Sequence, residues 1–237
     1  MKIIARLLIM TTCLLATGVV SQSLEPGFQS LFNGRDLSGW DGDPKFWSVK
    51  GGAITGVTRP EDQKKGAMTY LIWKGGDVGD FELRLDYRTQ GERVNSGISY
   101  RGKRLDHWMV AGYQADLETG NQWNGVLVEM EGRLHLAMRG QKTVIDPAGK
   151  IQVAGSLGDA DELQALIKKD DWNKYVVIAR GNHLIHKING RAMIEARDEQ
   201  VEKRALSGVL ALQLHHSYPQ TVQFKNIGIQ RLSRKGK

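Results

Sequence analysis

Phe81-Glu82-Leu83-Arg84-Leu85-Asp86-Tyr87 alternates strictly, with apolar side chains at the odd positions and charged ones at the even positions. A period of two places successive side chains on opposite faces of an extended chain, so this segment reads as a strand with one buried and one wet face. The same texture recurs along the chain. Val126, Val128 and Met130 alternate with Leu127, Glu129 and Glu131; Leu134, Leu136 and Met138 with His135, Ala137 and Arg139; Leu210, Leu212 and Leu214 with Ala211, Gln213 and His215. Asn189-Gly190 separates Leu184–Ile188 from Arg191–Ile194, and Gly51-Gly52 separates Trp47–Val49 from Ala53-Ile54. A two-residue type I′ turn needs positive φ at both central positions, which makes these pairs hairpin signals. One helix is expected over Ala160 to Lys169, capped by Asp159 with Glu162 three residues later as the partner of a capping box. Many short strands, frequent glycine and a single inserted helix predict an all-β sandwich or jelly roll.

Outward from the strands, the chain ends are informative. Lys2 and Arg6 precede the apolar run Leu7 to Val20, and small or polar residues follow at Ser21, Gln22 and Ser23. This is the pattern of a secretory signal peptide, and the run is too short to span a bilayer, which takes roughly 20 residues. We expect a leader over residues 1–22, one domain over 25–233, a basic tail over 234–237, and export to the periplasm or outside the cell. The single cysteine, Cys13, lies inside the leader, so neither a disulfide framework nor thiolate chemistry is expected. The 33 Lys and Arg against 26 Asp and Glu are interspersed rather than gathered on one face, which argues against a nucleic-acid partner. No membrane partner is expected once the leader is gone.

The strand faces that carry chemistry follow from the alternation. Asn95, Gly97, Ser99 and Arg101 share one face; Gln114, Asp116 and Glu118 another; Glu129 and Glu131, His135 and Arg139, and Gln213 and His215 sit on the polar sides of their strands. Taken singly, each is a wet outer face. Together they would make a floor of carboxylates, guanidiniums, imidazoles and amides suited to hydroxyl-rich ligands. Trp108 and Trp123 flank the acidic strand and can offer plates for the apolar face of a sugar. Asp116, Glu129 and a histidine are ligand types that suit several divalent ions, although their spacing does not require a metal. His183 and His186 lie three apart on a strand and face opposite ways, as do His215 and His216, so neither pair can chelate. A nucleophile elbow, a phosphate loop and a His-Glu-x-x-His zinc motif are all absent from the sequence.

Five stretches together resemble the 3-keto-disaccharide hydrolase domain family. They are Phe28–Trp40 (FQSLFNGRDLSGW), Trp47–Ile54, Gly79–Arg88, Asn95–Arg101 and Gly112-Tyr113-Gln114-Ala115-Asp116, supported by Asp171-Trp172-Asn173, the Asn189-Gly190 hairpin and Gln213–Ile227. The Gly112–Asp116 stretch has the form of one branch, where others carry Gly-Tyr-Glu-x-Gln. The resemblance implies a concanavalin A-like jelly roll and cleavage of glycosides oxidised to a ketone at sugar carbon 3. The ketone acidifies the proton at carbon 2; a base removes it, and the oxygen on carbon 1 leaves by elimination, with or without return of water. On that basis Asp116 or Glu129 is the base. Arg101, Arg139 or a metal would stabilise the enolate, and His107 or His215 would assist the leaving oxygen. Asn95, Gln114 and Gln213 would orient hydroxyls, with Glu118, Trp108, Trp123, His135 and Arg139 completing the sugar site. A non-catalytic carbohydrate-binding module and an ordinary two-carboxylate glycosidase are the competing expectations.

Overall fold

The computed structural model describes residues 25–233; the expected leader and basic tail lie outside them. The strands of the first half are β1 (Gln29–Ser30), β2 (Trp40–Asp41), β3 (Trp47–Lys50), β4 (Ala53–Thr58), β5 (Met68–Trp73), β6 (Phe81–Gln90), β7 (Asn95–Arg104), β8 (Val110–Glu118) and β9 (Leu127–Met130). Then come β10 (Leu134–Ala137), β11 (Gln141–Ile145), β12 (Ile151–Ser156), helix α1 (Ala160–Ala165), β13 (Asn173–Arg180), β14 (His183–Ile188), β15 (Arg191–Asp198), β16 (Val209–His215) and β17 (Gln220–Arg231). A ten-stranded sheet runs β12-β11-β15-β14-β13-β6-β17-β4-β3, with β1 on β17, and a seven-stranded sheet runs β10-β9-β8-β7-β16-β5-β2. These two sheets pack into the jelly-roll sandwich expected from the strand texture.

The alternating segments do what their period dictates. Phe81, Leu83, Leu85 and Tyr87 are buried between the sheets, as are Leu210, Leu212 and Leu214 from the opposite layer. Both hairpin signals are type I′ in sign: φ is +49° and +85° at Asn189-Gly190, and +56° and +74° at Gly51-Gly52. The opening FNGRDLSGW stretch is structural. Asn33 Oδ1 accepts from the amides of Arg35 and Asp36 at 2.7 and 3.0 Å, and buried Trp40 donates from Nε1 to the Leu31 carbonyl at 2.8 Å. The helix is shorter than expected. Asp159 caps it by accepting from the amides of Asp161 and Glu162, but it ends at Ala165 and only Leu163 is buried. With one apolar anchor, too little surface is available to extend a six-residue helix toward Lys169.

Candidate functional site

Three rows of side chains cross the outer, core-averted face of the seven-stranded sheet. Register sets Tyr70 of β5 beside Gln213 of β16, Gln213 beside Gly97 of β7, and Gly97 beside Asp116 of β8. On one side of that row run Ile72, Ala211, Ser99, Gln114, Val128 and His135; on the other, Met68 faces His215 and Asn95 faces Glu118. Strands far apart in sequence thus bring Asn95, Gln114, Asp116, Glu118, His135, Gln213 and His215 onto one surface.

Gln114 organises the centre. Its Nε2 donates to Asp116 Oδ1 at 2.7 Å and to Gln213 Oε1 at 3.2 Å, while its Oε1 accepts from Ser99 Oγ at 2.8 Å and from the Tyr70 hydroxyl at 3.4 Å. Gln213 Nε2 donates in turn to the Tyr70 oxygen at 3.0 Å. Gly97 makes room for this: a Cβ there would sit 2.5 Å from Gln114 Cδ. Gly97→Ala should therefore push Gln114 off Asp116. We expect the Asp116 carboxyl to titrate still higher, because a hydrogen bond that favours the carboxylate is lost. An NMR titration in which the Asp116 carboxyl does not move would show that Gln114 does not hold it.

Asp116 has the electrostatics of a base. Removal from water pushes its carboxyl up to about 7, with the Glu118 charge adding to the rise and the Gln114 hydrogen bond opposing it. Burial lowers the pKa of both His135 and His215, so both rings are neutral at neutral pH. His215 Nδ1 accepts from the Ser217 amide at 3.2 Å, which leaves the proton on Nε2 and makes that nitrogen a donor. His135 stacks on Trp123 with ring centroids 4.0 Å apart and planes 15° apart, and the Trp123 amide donates to Glu118 Oε2 at 2.9 Å.

One end of the face is closed by the loop between β7 and β8. The Tyr70 amide donates to the Trp108 carbonyl at 2.9 Å, and Tyr70, Ile72, Val110 and Ala211 form a second apolar cluster beneath. Trp108 is a clamp in this wall, donating from Nε1 to Asp41 Oδ1 at 3.0 Å, while Arg104 binds the same carboxylate at 2.5 Å. His107 is exposed on this loop. Two surface hollows, of about 300 Å³ beside Trp73 and about 510 Å³ beside Trp172, lie away from Asp116. The candidate site is a sheet face walled at one end.

Three expected members are elsewhere. Arg101 does not reach the floor. It sits at a bulge, where the β7–β8 register shifts between Tyr100 and Lys103 and its own φ is +50°, and its side chain turns away from the floor. There its guanidinium donates to Asp80 at 2.9 Å and to the carbonyls of Gly79, Gly181 and Ala205. Glycines were the available signal: a Cβ at Gly208 would lie 2.4 Å from the Gly102 carbonyl oxygen and one at Gly112 would lie 2.9 Å from Gly102 Cα, so this crossing tolerates no side chains. Arg139 is structural too, donating to the carbonyls of Ala160, Asn124 and Asn121 and so fixing the loop that carries Trp123.

Glu129 faces inward. It stands opposite core-facing Tyr113, and its carboxylate binds Arg133 Nε at 2.5 Å; Arg133 also binds Asp198 at 2.6 Å, and the Tyr113 hydroxyl donates to Asp198. Either phase of Val126–Glu131 alternates, and the partner cation Arg133 decides between them by neutralising an inward carboxylate. Val128 takes the floor position beside Gln114, and Glu131 is exposed in the following turn. Asp116 and Glu129 therefore lie on opposite faces of the sheet and cannot share a metal ion. Among the described residues, no three His, Cys, Asp or Glu side chains gather as a metal site.

Solved structures share this architecture. A candidate glycosyl hydrolase from Parabacteroides distasonis aligns with a TM-score of 0.59 at 17% identity, over 86% of this chain and 99% of that one. The carbohydrate binding module CBM66 from Bacillus subtilis gives 0.52 at 13% identity over 81% and 95%, and the endo-beta-1,3(4)-glucanase SCLam of family GH16 gives 0.51 at 11% over 89% and 94%. At such identities the likeness speaks for the fold. No curated protein matches the sequence. The family model described as the 3-keto-alpha-glucoside-1,2-lyase-like domain matches residues 27–230, nearly all of the described chain, and the protein belongs to that family.

Proposed function

We propose that the outer face of the seven-stranded sheet cleaves glycosides oxidised at carbon 3, with Asp116 as the base. The observation that carries this reading is a carboxyl lifted to about 7 by burial, held by Gln114 on a face that also presents neutral His215. A base works best when its pKa lies near the working pH, and the proton on carbon 2 next to a ketone suits such a base. Asp116 takes that proton, and the C–H electron pair moves to the ketone oxygen to form an enolate. The pair then returns, forms the carbon 1–carbon 2 double bond and expels the glycosidic oxygen. His215 Nε2–H is the donor the face offers to a developing oxyanion, in place of Arg101 or Arg139. The leaving oxygen takes up one proton, and addition of water to the unsaturated ketone would convert net elimination into net hydrolysis. Asn95, Gln213 and Glu118 supply hydrogen-bonding groups for ring hydroxyls, and the Trp123–His135 stack supplies an aromatic plate. The apolar run over residues 7–20 supports an exported setting.

The test is an incubation with an aryl 3-keto-glucoside and with the unoxidised aryl glucoside. We expect release of the aryl alcohol from the ketone alone. Release from both would indicate ordinary two-carboxylate hydrolysis, and binding without release would indicate a carbohydrate-binding module.

A further inference from the structure

The outer face of the ten-stranded sheet carries a feature the reaction does not use. A hollow of about 510 Å³, within the size range of small-ligand sites, is lined by Asp86, Leu166, Lys168, Trp172, Lys174 and Asn189. Trp172 is half-buried at the start of β13, with Lys225 Nζ 3.9 Å and Arg88 Cζ 4.9 Å from the centre of its ring. The ring quadrupole holds these cations in place. Register sets Lys174 and Lys225 on either side of Asp86, so one carboxylate lies among Lys174, Lys225 and Arg88.

On the same sheet Arg84 binds Glu82 and Glu25 at 2.7 and 2.6 Å and Lys142 binds Glu195 at 3.2 Å, whereas Arg88 donates from Nε to the neutral Gln223 Oε1 at 3.1 Å. Among the described residues, Arg88, Lys174 and Lys225 have no carboxylate oxygen within 4.0 Å. Asp86 Oδ2 accepts from Asn226 at 2.6 Å, and Lys168 is 3.8 Å from Asp171. The hollow and the Trp172 cations beside it therefore carry excess positive charge, with an aromatic ring, an apolar neighbour in Leu166, and Asp86 as an acceptor for hydroxyls.

We propose that this hollow, together with Arg88 and Lys225 beside it on Trp172, is a second carbohydrate site, in which Lys174, Lys225 and Arg88 bind an acidic sugar through its carboxylate or sulfate group. The anion bridges cations that lack carboxylate partners, while ring carbons pack on Trp172 and Leu166. This site lies on the ten-stranded sheet, whereas Asp116 lies on the seven-stranded one, so it would anchor the enzyme to an acidic polymer without taking part in bond cleavage.

The test is calorimetry and tryptophan fluorescence with tetragalacturonate, a sulfated heparin tetrasaccharide, neutral cellotetraose and tripolyphosphate, using the whole protein. At least one acidic tetrasaccharide should bind ten times tighter than cellotetraose and weaken in 0.5 M salt. Lys174→Gln/Lys225→Gln should lose that preference while keeping the wild-type Tm and wild-type turnover of a 3-keto-glucoside. Asp116→Asn should bind the acidic sugar as well as wild type does, which separates this site from the reaction face. The proposal is overturned if neither acidic sugar outbinds cellotetraose, if the double variant binds like wild type, or if tripolyphosphate binds as tightly as the sugars.

Discussion

Asp116→Asn should lower kcat/KM on a 3-keto-glucoside by roughly 10²–10⁴, the usual contribution of a positioned base, and should raise thermal stability at neutral pH. The two effects share one cause. Burial disfavours the carboxylate, so the folded-state pKa stands near 7 against the ordinary aspartate value of 3.8. Between those values the unfolded chain has released its proton while the folded chain still holds it. Stability contributed by this group is therefore full below about pH 4 and is lost as pH rises through 7. An amide of the same shape escapes that loss, and we expect a gain of up to roughly 4 kcal/mol at pH 8 that nearly vanishes by pH 4. In the wild type, kcat/KM should climb with pH through a limb near 7, where the carboxylate becomes the major form. Thermal melts at the two pH values and a pH–rate profile check both halves. Wild-type turnover in the variant would remove Asp116 from the mechanism, and equal stability at both pH values would remove the buried-acid account.

Arg101→Met should cost about 3–5 kcal/mol of folding stability, the penalty for leaving a buried carboxylate without its cation. The Arg101 side chain has no solvent exposure, and that of Asp80 has 6%. Removing the guanidinium also abandons the carbonyls of Gly79, Gly181 and Ala205, which meet at one end of the sandwich. A chain of this size should lose roughly 10 °C in Tm. Adding Asp80→Asn should recover part of the loss, because the stranded charge goes with it, and a double-mutant cycle measures that recovery. A variant that melts like wild type yet fails to turn over a 3-keto-glucoside would return Arg101 to the reaction and contradict its structural role.

These two residues also mark how far strand arithmetic places a side chain on a face of the sheet. The place of Asp116 on the outer face was legible because Gln114, Asp116 and Glu118 keep an unbroken period of two along β8, and no bulge interrupts it before their partners Ser99, Gly97 and Asn95. Gln213 and His215 were legible for the same reason, since Leu210, Leu212 and Leu214 fix the opposite face. Arg101 obeys the same arithmetic on paper, but a positive φ and a one-residue register shift at the bulge reverse its side chain.

The local pattern alone determined that the chain is an all-β sandwich with type I′ turns at Gly51-Gly52 and Asn189-Gly190. Alternation and turn chemistry depend only on residues near one another in the chain. Tertiary structure decided which phase of an ambiguous strand faces inward, since Glu129 could turn to the core only with Arg133 beside it and Asp198 beyond. It decided equally that Gln114 reaches Gln213 as well as Asp116, the former a contact between residues 99 apart that no local spacing encodes. Burial of a charge, and so its pKa, is a property of everything packed around it and emerges only when the sheets close.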